Sequence, residues 1–211
     1  MICWSCQKEG GAGPFCAACQ AVLPPSGSDR FAVLGVPRRF TVDVGAAEAA
    51  YKDLSRKLHP DRFAKADPQA RKASLARTVE LNDAWRTIKD PVRRAEYLLE
   101  LAGFGLAGDD RKAGAENAAT RKVTAPPTFL IEILELRDEL AEAKRGNDAA
   151  KVAAMTEEMR GRADGALATL GAQLDAGQLE EAARTLASLR YFQRFLDEST
   201  APGPNQGVVH G

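Results

Sequence analysis

All four cysteines of the 211-residue chain lie within its first 19 residues, as "CWSC" and "CAAC": Cys3, Cys6, Cys16 and Cys19. The spacing is C-x2-C, nine residues, C-x2-C. Each pair lets two thiolates converge on one ion from a tight knuckle, and two knuckles complete a tetrahedral S4 site. A segment of about twenty residues cannot fold on an apolar core alone, so metal binding has to supply the folding energy. The intervening "QKEGGAGPF" is turn-rich, as a short ribbon loop would be. Structural zinc is the expected occupant, and iron is chemically compatible with the same sulfurs. Two disulfides fit a cytosolic chain poorly, and no βαβ pattern surrounds either C-x-x-C to suggest a redox pair. Four thiolates leave no open coordination position, so this metal would be structural and not catalytic. Residues 1–23 form this module.

The rest of the chain reads as helix. Aromatic residues are 6% and extended alternating Val/Ile/Thr runs are missing, so an all-α fold is expected. Pro24-Pro25 and Ser-Gly-Ser form a linker after the knuckle. "FAVLGV" is a short apolar helix stopped by Gly35 and Pro37. Asp43 caps a helix running to about Leu58. Val44, Ala47, Tyr51, Leu54 and Leu58 share its apolar face, with Lys52, Arg56 and Lys57 off that face. Pro60 then breaks the backbone. Asp67-Pro68, an N-cap followed by proline at the first helical position, opens a helix with Leu75, Thr78, Leu81, Trp85 and Ile88 in steps of three or four. "DPVRRAEYLLELAG" repeats the Asp-Pro start and ends at Gly103.

His59, Pro60 and Asp61, in "LHPDRF", therefore occupy the turn of a helical hairpin, with cations on the approach and Arg62 just beyond. This setting resembles the J-domain, placed at 30–103. The resemblance extends further: "FAVLGVPRRFTVD", "LHPDRF", "LNDAWRTIKDPVRRAEYLL", "FLIEILELRDEL" and "AARTLASLRYFQRFL", in that order, are similar to the HscB family of iron–sulfur co-chaperones. The resemblance implies that His59, Pro60 and Asp61, with Lys52, Arg56, Lys57 and Arg62, contact an HscA/DnaK-type chaperone ATPase and stimulate its ATP hydrolysis. His59 is then a contact residue. A general acid–base role is disfavoured, because no phosphate loop, nucleophile elbow or further ordered histidine accompanies it. The chain is expected to activate an enzyme and not to be one.

Residues 104–125 are rich in Gly, Ala and charge and read as a linker closed by Pro126-Pro127. Three helices over about 127–145, 148–174 and 178–197, broken at "RGND" and "DAGQ", make a small bundle at 126–198. Residues 199–211 lack periodicity and read as a disordered tail. The first bundle helix is two-faced. Phe129, Ile133, Leu136, Leu140 and Ala143 fall within about 80° of arc, a complete core stripe. Leu130, Ile131 and Leu134 point elsewhere, among Glu135, Asp138 and Glu142. Packing on the J-domain or ordinary surface apolarity would explain that second face, and so would apolar anchors rimmed by carboxylates for a partner. The HscB resemblance implies the latter: an IscU-type iron–sulfur scaffold bound by Leu130, Ile131, Leu134, Glu135, Asp138 and Glu142, with Tyr191 added from the last helix. The chain departs from the family at Leu58, Ile131, Asp138 and Tyr191, each time keeping the physical character. The knuckle is similar to that of the longer, cysteine-bearing members.

Charge is balanced, 29 basic against 29 acidic, which disfavours nucleic acid or anionic membrane as a partner. Lys8 is the only cation between the cysteines, a poor phosphate footprint. No window of 18 apolar residues exists, and the N-terminus has neither a secretory nor a transit pattern. Bacterial cytoplasm is expected over mitochondria. A general J-domain protein for unfolded clients is the main alternative, and a zinc-knuckle nucleic-acid module a weaker one.

Overall fold

The computed structural model describes residues 1–27, 29–106 and 121–201. The chain divides into two compact units, Met1–Arg94 and Ala95–Gly211. Both are built from helices, as expected.

In the first unit the two knuckles repeat each other at an offset of 13 residues. Cys3 N–H donates to the Lys8 carbonyl and Cys16 N–H to the Ala21 carbonyl, both at 2.8 Å. Gln7 and Gln20 occupy equivalent positions, with φ of 59° and 61° in the left-handed region. Isolated bridges pair Ile2 with Glu9 and Phe15 with Val22. After the linker comes α1 (Arg30–Leu34), capped by the Asp29 carboxylate on Ala32 N–H and ended by Gly35 at φ 67°. Helix α2 (Val44–Leu58) starts where Asp43 accepts from Ala46 N–H. A single 3-10 turn, Pro60–Phe63, leads to α3 (Pro68–Lys89), capped by Asp67 with Pro68 at its first position. Tyr51 stacks on Trp85 and its hydroxyl donates to Asn82, while Leu58 meets Ser74 and Thr78. Later α2 residues thus meet earlier α3 residues, so the pair is an antiparallel hairpin.

The face of α3 differs from the sequence expectation. Leu75 is 58% exposed, and the buried residues are Ala70, Ala73, Ser74, Arg77, Leu81, Ala84 and Ile88. Alanines allow close approach to the neighbouring helices, and the buried polar groups are satisfied by hydrogen bonds that an apolar pattern does not register. Val44 on α2 is likewise exposed, whereas Ala47 and Leu58 are buried. The knuckle shares one compact unit with the hairpin.

The unit boundary falls inside α4 (Pro91–Leu101), ahead of the expected end of the J-domain at 103. In the second unit, buried Ala95 and Leu99 of α4 join the core, and Glu96 forms an ion pair with Arg190. The stretch expected to be a plain linker contains β1 (Phe104–Leu106) and β2 (Arg121–Val123), paired in parallel. Val123 and Ala125 are buried. Residues 107–120, between the strands, lie outside the described residues. Helices α5 (Pro127–Arg145), α6 (Ala149–Asp175) and α7 (Leu179–Thr200) form the bundle around Ile133, Leu140, Met159, Leu170, Leu186, Leu189 and Phe195. Ser199 and Thr200, expected in the tail, belong to α7. Residues 202–211, with His210, lie outside the described residues.

Candidate functional site

Proline fixes the hairpin turn. Pro60 sets φ at the first position of the 3-10 turn, and His59 caps it, Nδ1 accepting from Asp61 N–H at 3.3 Å. With Nδ1 accepting, the neutral ring carries its proton on Nε2. The Asp61 carboxylate sits 3.6 Å from His59 Nδ1. The side chains are 54% and 91% exposed, so imidazole and carboxylate both stand open to a partner. The turn is anchored one residue earlier. The Leu58 carbonyl accepts from Ser74 Oγ at 2.6 Å and from Thr78 Oγ1 at 3.2 Å.

The structure divides the four cations around this turn into two kinds. Lys52 and Lys57 are held at 2.7 Å by Glu48 and Asp53, one helical turn back. Arg56 and Arg62 are exposed and have no ion-pair partner among the described residues. Charge counting along the sequence does not separate these pairs.

The acidic residues of α5 divide in the same way. Glu132 pairs with Arg162 and Glu139 with Lys151 on α6, while the Arg137 fork grips Glu198 on α7. Each partner holds the cation's pKa above its ordinary value. Glu135, Asp138 and Glu142 are exposed and have no ion-pair partner among the described residues. Ile131 and Leu134, 59% and 57% exposed, stand among them within about 100° of arc. Leu130 is half-buried at the edge on which Arg137 reaches α7. Tyr191 of α7 is also half-buried, edge-on to Phe129 at 6.0 Å between centroids and under the Arg194 guanidinium. The buried stripe, Ile133, Leu140 and Ala143, faces the bundle as the periodicity predicts.

The four sulfurs lie within 4.8 Å of one another, with Cys3 to Cys19 at 3.7 Å and Cys6 to Cys16 at 3.8 Å. A tetrahedron with metal–sulfur bonds of about 2.3 Å has edges of about 3.8 Å, so the donor set fits such an ion. The Lys8 amide favours the Cys6 thiolate, but burial and the neighbouring thiols outweigh it and push Cys6 up to about 11. The Cys19 amide draws Cys16 down to about 7 against the effect of burial, with the Ala18 amide adding to it. Four such sulfurs can carry thiolate charge together only around a cation.

Two family models match the chain: the DnaJ domain over residues 29–97 and the HSCB C-terminal oligomerisation domain over residues 125–199. The chain belongs to the HscB family of J-domain co-chaperones. Human co-chaperone HscB matches with a TM-score of 0.79 at 26% identity, over 94% of this chain and 96% of that one. Chaperone HscB from Vibrio cholerae matches at 0.67 and 29%, over 82% and 95%. The Jac1 co-chaperone from Saccharomyces cerevisiae, at 21% identity and a TM-score of 0.53, shares the fold. Within this HscB-type chain the His-Pro-Asp turn and the outer face of α5 belong to the J-domain and to the C-terminal domain, respectively. No helix among the described residues is long and apolar enough to cross a membrane.

Proposed function

We propose that the chain is a co-chaperone of iron–sulfur cluster assembly, which brings an IscU-type scaffold to an HscA/DnaK-type chaperone and stimulates ATP hydrolysis there. The observation that carries the reading is the rigid turn with His59 and Asp61 both turned to solvent. The Asp61 carboxylate competes for an arginine of the chaperone and biases the conformation that controls hydrolysis. Pro60 and the Ser74 and Thr78 hydroxyls on the Leu58 carbonyl fix the backbone leading into Asp61 before contact, which limits the ordering cost of binding. Arg56 and Arg62 supply most of the attraction to an acidic chaperone surface, with Lys52 and Lys57 partly neutralised beside them.

The scaffold binds the outer face of α5. Ile131 and Leu134 are the anchors, Leu130 and Tyr191 extend them toward α7, and Glu135, Asp138 and Glu142 form the rim. Zinc held by Cys3, Cys6, Cys16 and Cys19 supplies a structural link between the knuckles and offsets part of their thiolate charge. The test joins both halves. The purified chain should retain an IscU-type scaffold on a column and should raise the steady-state ATPase rate of a DnaK-type chaperone, further so with scaffold present. Stimulation with unfolded clients but no scaffold retention would instead make it a general J-domain protein.

A further inference from the structure

Arg77 is a cation with almost no solvent access, its side chain 6% exposed in the middle of α3. Its Nε donates to the Leu23 carbonyl at 2.9 Å, its Nη2 to the Gly13 carbonyl at 3.3 Å, and its Nη1 to Glu80 at 2.8 Å. Two of its three acceptors are thus backbone carbonyls of the cysteine module, 54 and 64 residues earlier in the chain. Those carbonyls are placed by the knuckles. Leu23 packs with Cys3 and Cys16 and donates its N–H to the Pro14 carbonyl at 2.9 Å. Gly10 leaves no room for a side chain, since a Cβ there would come within 2.7 Å of Leu23 Cδ1.

Ser74 and Thr78 lie on the same helical turn, within about 100° of arc of Arg77. Both hold the Leu58 carbonyl, the last of α2 and directly before His59. Leu58 also lines, with Gly13, Pro14, Leu54, Arg77 and Leu81, a small cavity between the ribbon loop and the hairpin. One turn of α3 therefore grips the cysteine module and the start of the His-Pro-Asp turn together.

We propose that Arg77 is a positioning residue that makes the geometry of the His59–Pro60–Asp61 turn depend on metal occupancy of the four cysteines. Without the ion, the cluster of Cys3, Cys16 and Leu23 is too small a core to keep the knuckles folded. The Gly13 and Leu23 carbonyls then leave, and a buried guanidinium loses two of its acceptors. The α3 turn must rearrange to solvate it, and Ser74 and Thr78 shift off Leu58. Loss of the metal would then slacken the part of the molecule that the proposed function assigns to the chaperone, and the inference rests on that reading only for its biological meaning.

The test follows amide exchange in the full-length, metal-loaded protein, without any ATPase. Chelation of the wild type should expose the Cys3 and Cys16 amides. It should also speed exchange at Arg62 and Ala64, whose N–H groups bond the His59 and Asp61 carbonyls, by about tenfold. Metal-loaded Arg77→Met should show the same fast turn, with chelation adding nothing, and Arg77→Lys should fall between. A fast knuckle beside an unchanged turn after chelation of the wild type would overturn the proposal. So would an undiminished chelation response in Arg77→Met. If that variant fails to fold, the wild-type and Arg77→Lys arms decide alone. Because the readout is structural, it is independent of whether His59→Gln abolishes ATPase stimulation.

Discussion

The two candidate contact surfaces are built on opposite principles. The His-Pro-Asp turn is small and polar, and its precision comes from backbone devices: a fixed φ, a histidine cap, and two hydroxyls on one carbonyl. The outer face of α5 is broader, two apolar side chains rimmed by carboxylates, and its strength would come from burying Ile131 and Leu134. A tip of that kind can bias a partner's conformation with little binding energy of its own. A face of that kind holds a partner without needing to change it.

The contrast can be broken by mutation, and the largest expected effect is at the turn. His59→Gln should abolish stimulation of the chaperone ATPase while the melting curve barely moves, since an exposed residue usually contributes within about 0.5 kcal/mol of stability. Normal stimulation by this variant would remove the turn from the mechanism.

Next comes the face. Ile131→Ala with Leu134→Ala should weaken scaffold binding by about 2–4 kcal/mol, read by titration calorimetry, at small cost in stability. Leu140→Ala, on the buried stripe of the same helix with Ile133 and Ala143, would instead cost about 2–5 kcal/mol of folding free energy. A large fall in melting temperature for the outer-face pair would make those side chains part of the core and move the scaffold site elsewhere.

A smaller effect is expected from charge. Arg56→Glu should slow association with the chaperone more than Lys52→Glu does, and should flatten its salt dependence further, because Lys52 is already engaged by Glu48. Stopped-flow association rates at several salt concentrations measure the difference. Equal effects at the two positions would mean that the local ion pairs do not matter to steering.

The smallest effect concerns acid. Burial opposes the charge on Asp29, but the Ala32 amide and the Arg38 guanidinium outweigh it and hold the carboxyl below its ordinary value of 3.8. A depressed carboxylate contributes stability above its unfolded pKa and loses it as pH falls through the folded one. Asp29→Asn should therefore leave the first unit less stable than wild type at neutral pH, with the gap closing below about pH 4. Melting curves across that range give the answer, and a gap independent of pH would rule out the charge as its cause.

Much of this was legible in the chain because it is written locally. Asp43, Asp67-Pro68 and Gly35 mark helix ends within a few residues of themselves, and the structure places the ends there. The two faces of α5 follow from periodicity within one helix. What escaped was nonlocal or too short. Arg77 looks like one more surface cation until the carbonyls of Gly13 and Leu23 arrive from far upstream. Leu75 fits the apolar spacing of α3 and is exposed, because alanines and hydrogen-bonded polar groups fill the buried side. The strands Phe104–Leu106 and Arg121–Val123 are three residues each, too brief to show an alternating pattern.

Helix α5 is pinned along both of its edges, by Glu132 and Glu139 to α6 and by Arg137 to α7. Each pair is partly exposed and contributes little to stability by itself. Together they oppose any roll of the helix about its own axis, as two hinges on opposite edges stop a door from turning. A torsionally locked helix offers its outer face at one fixed angle, and whatever lands there meets a surface already aimed.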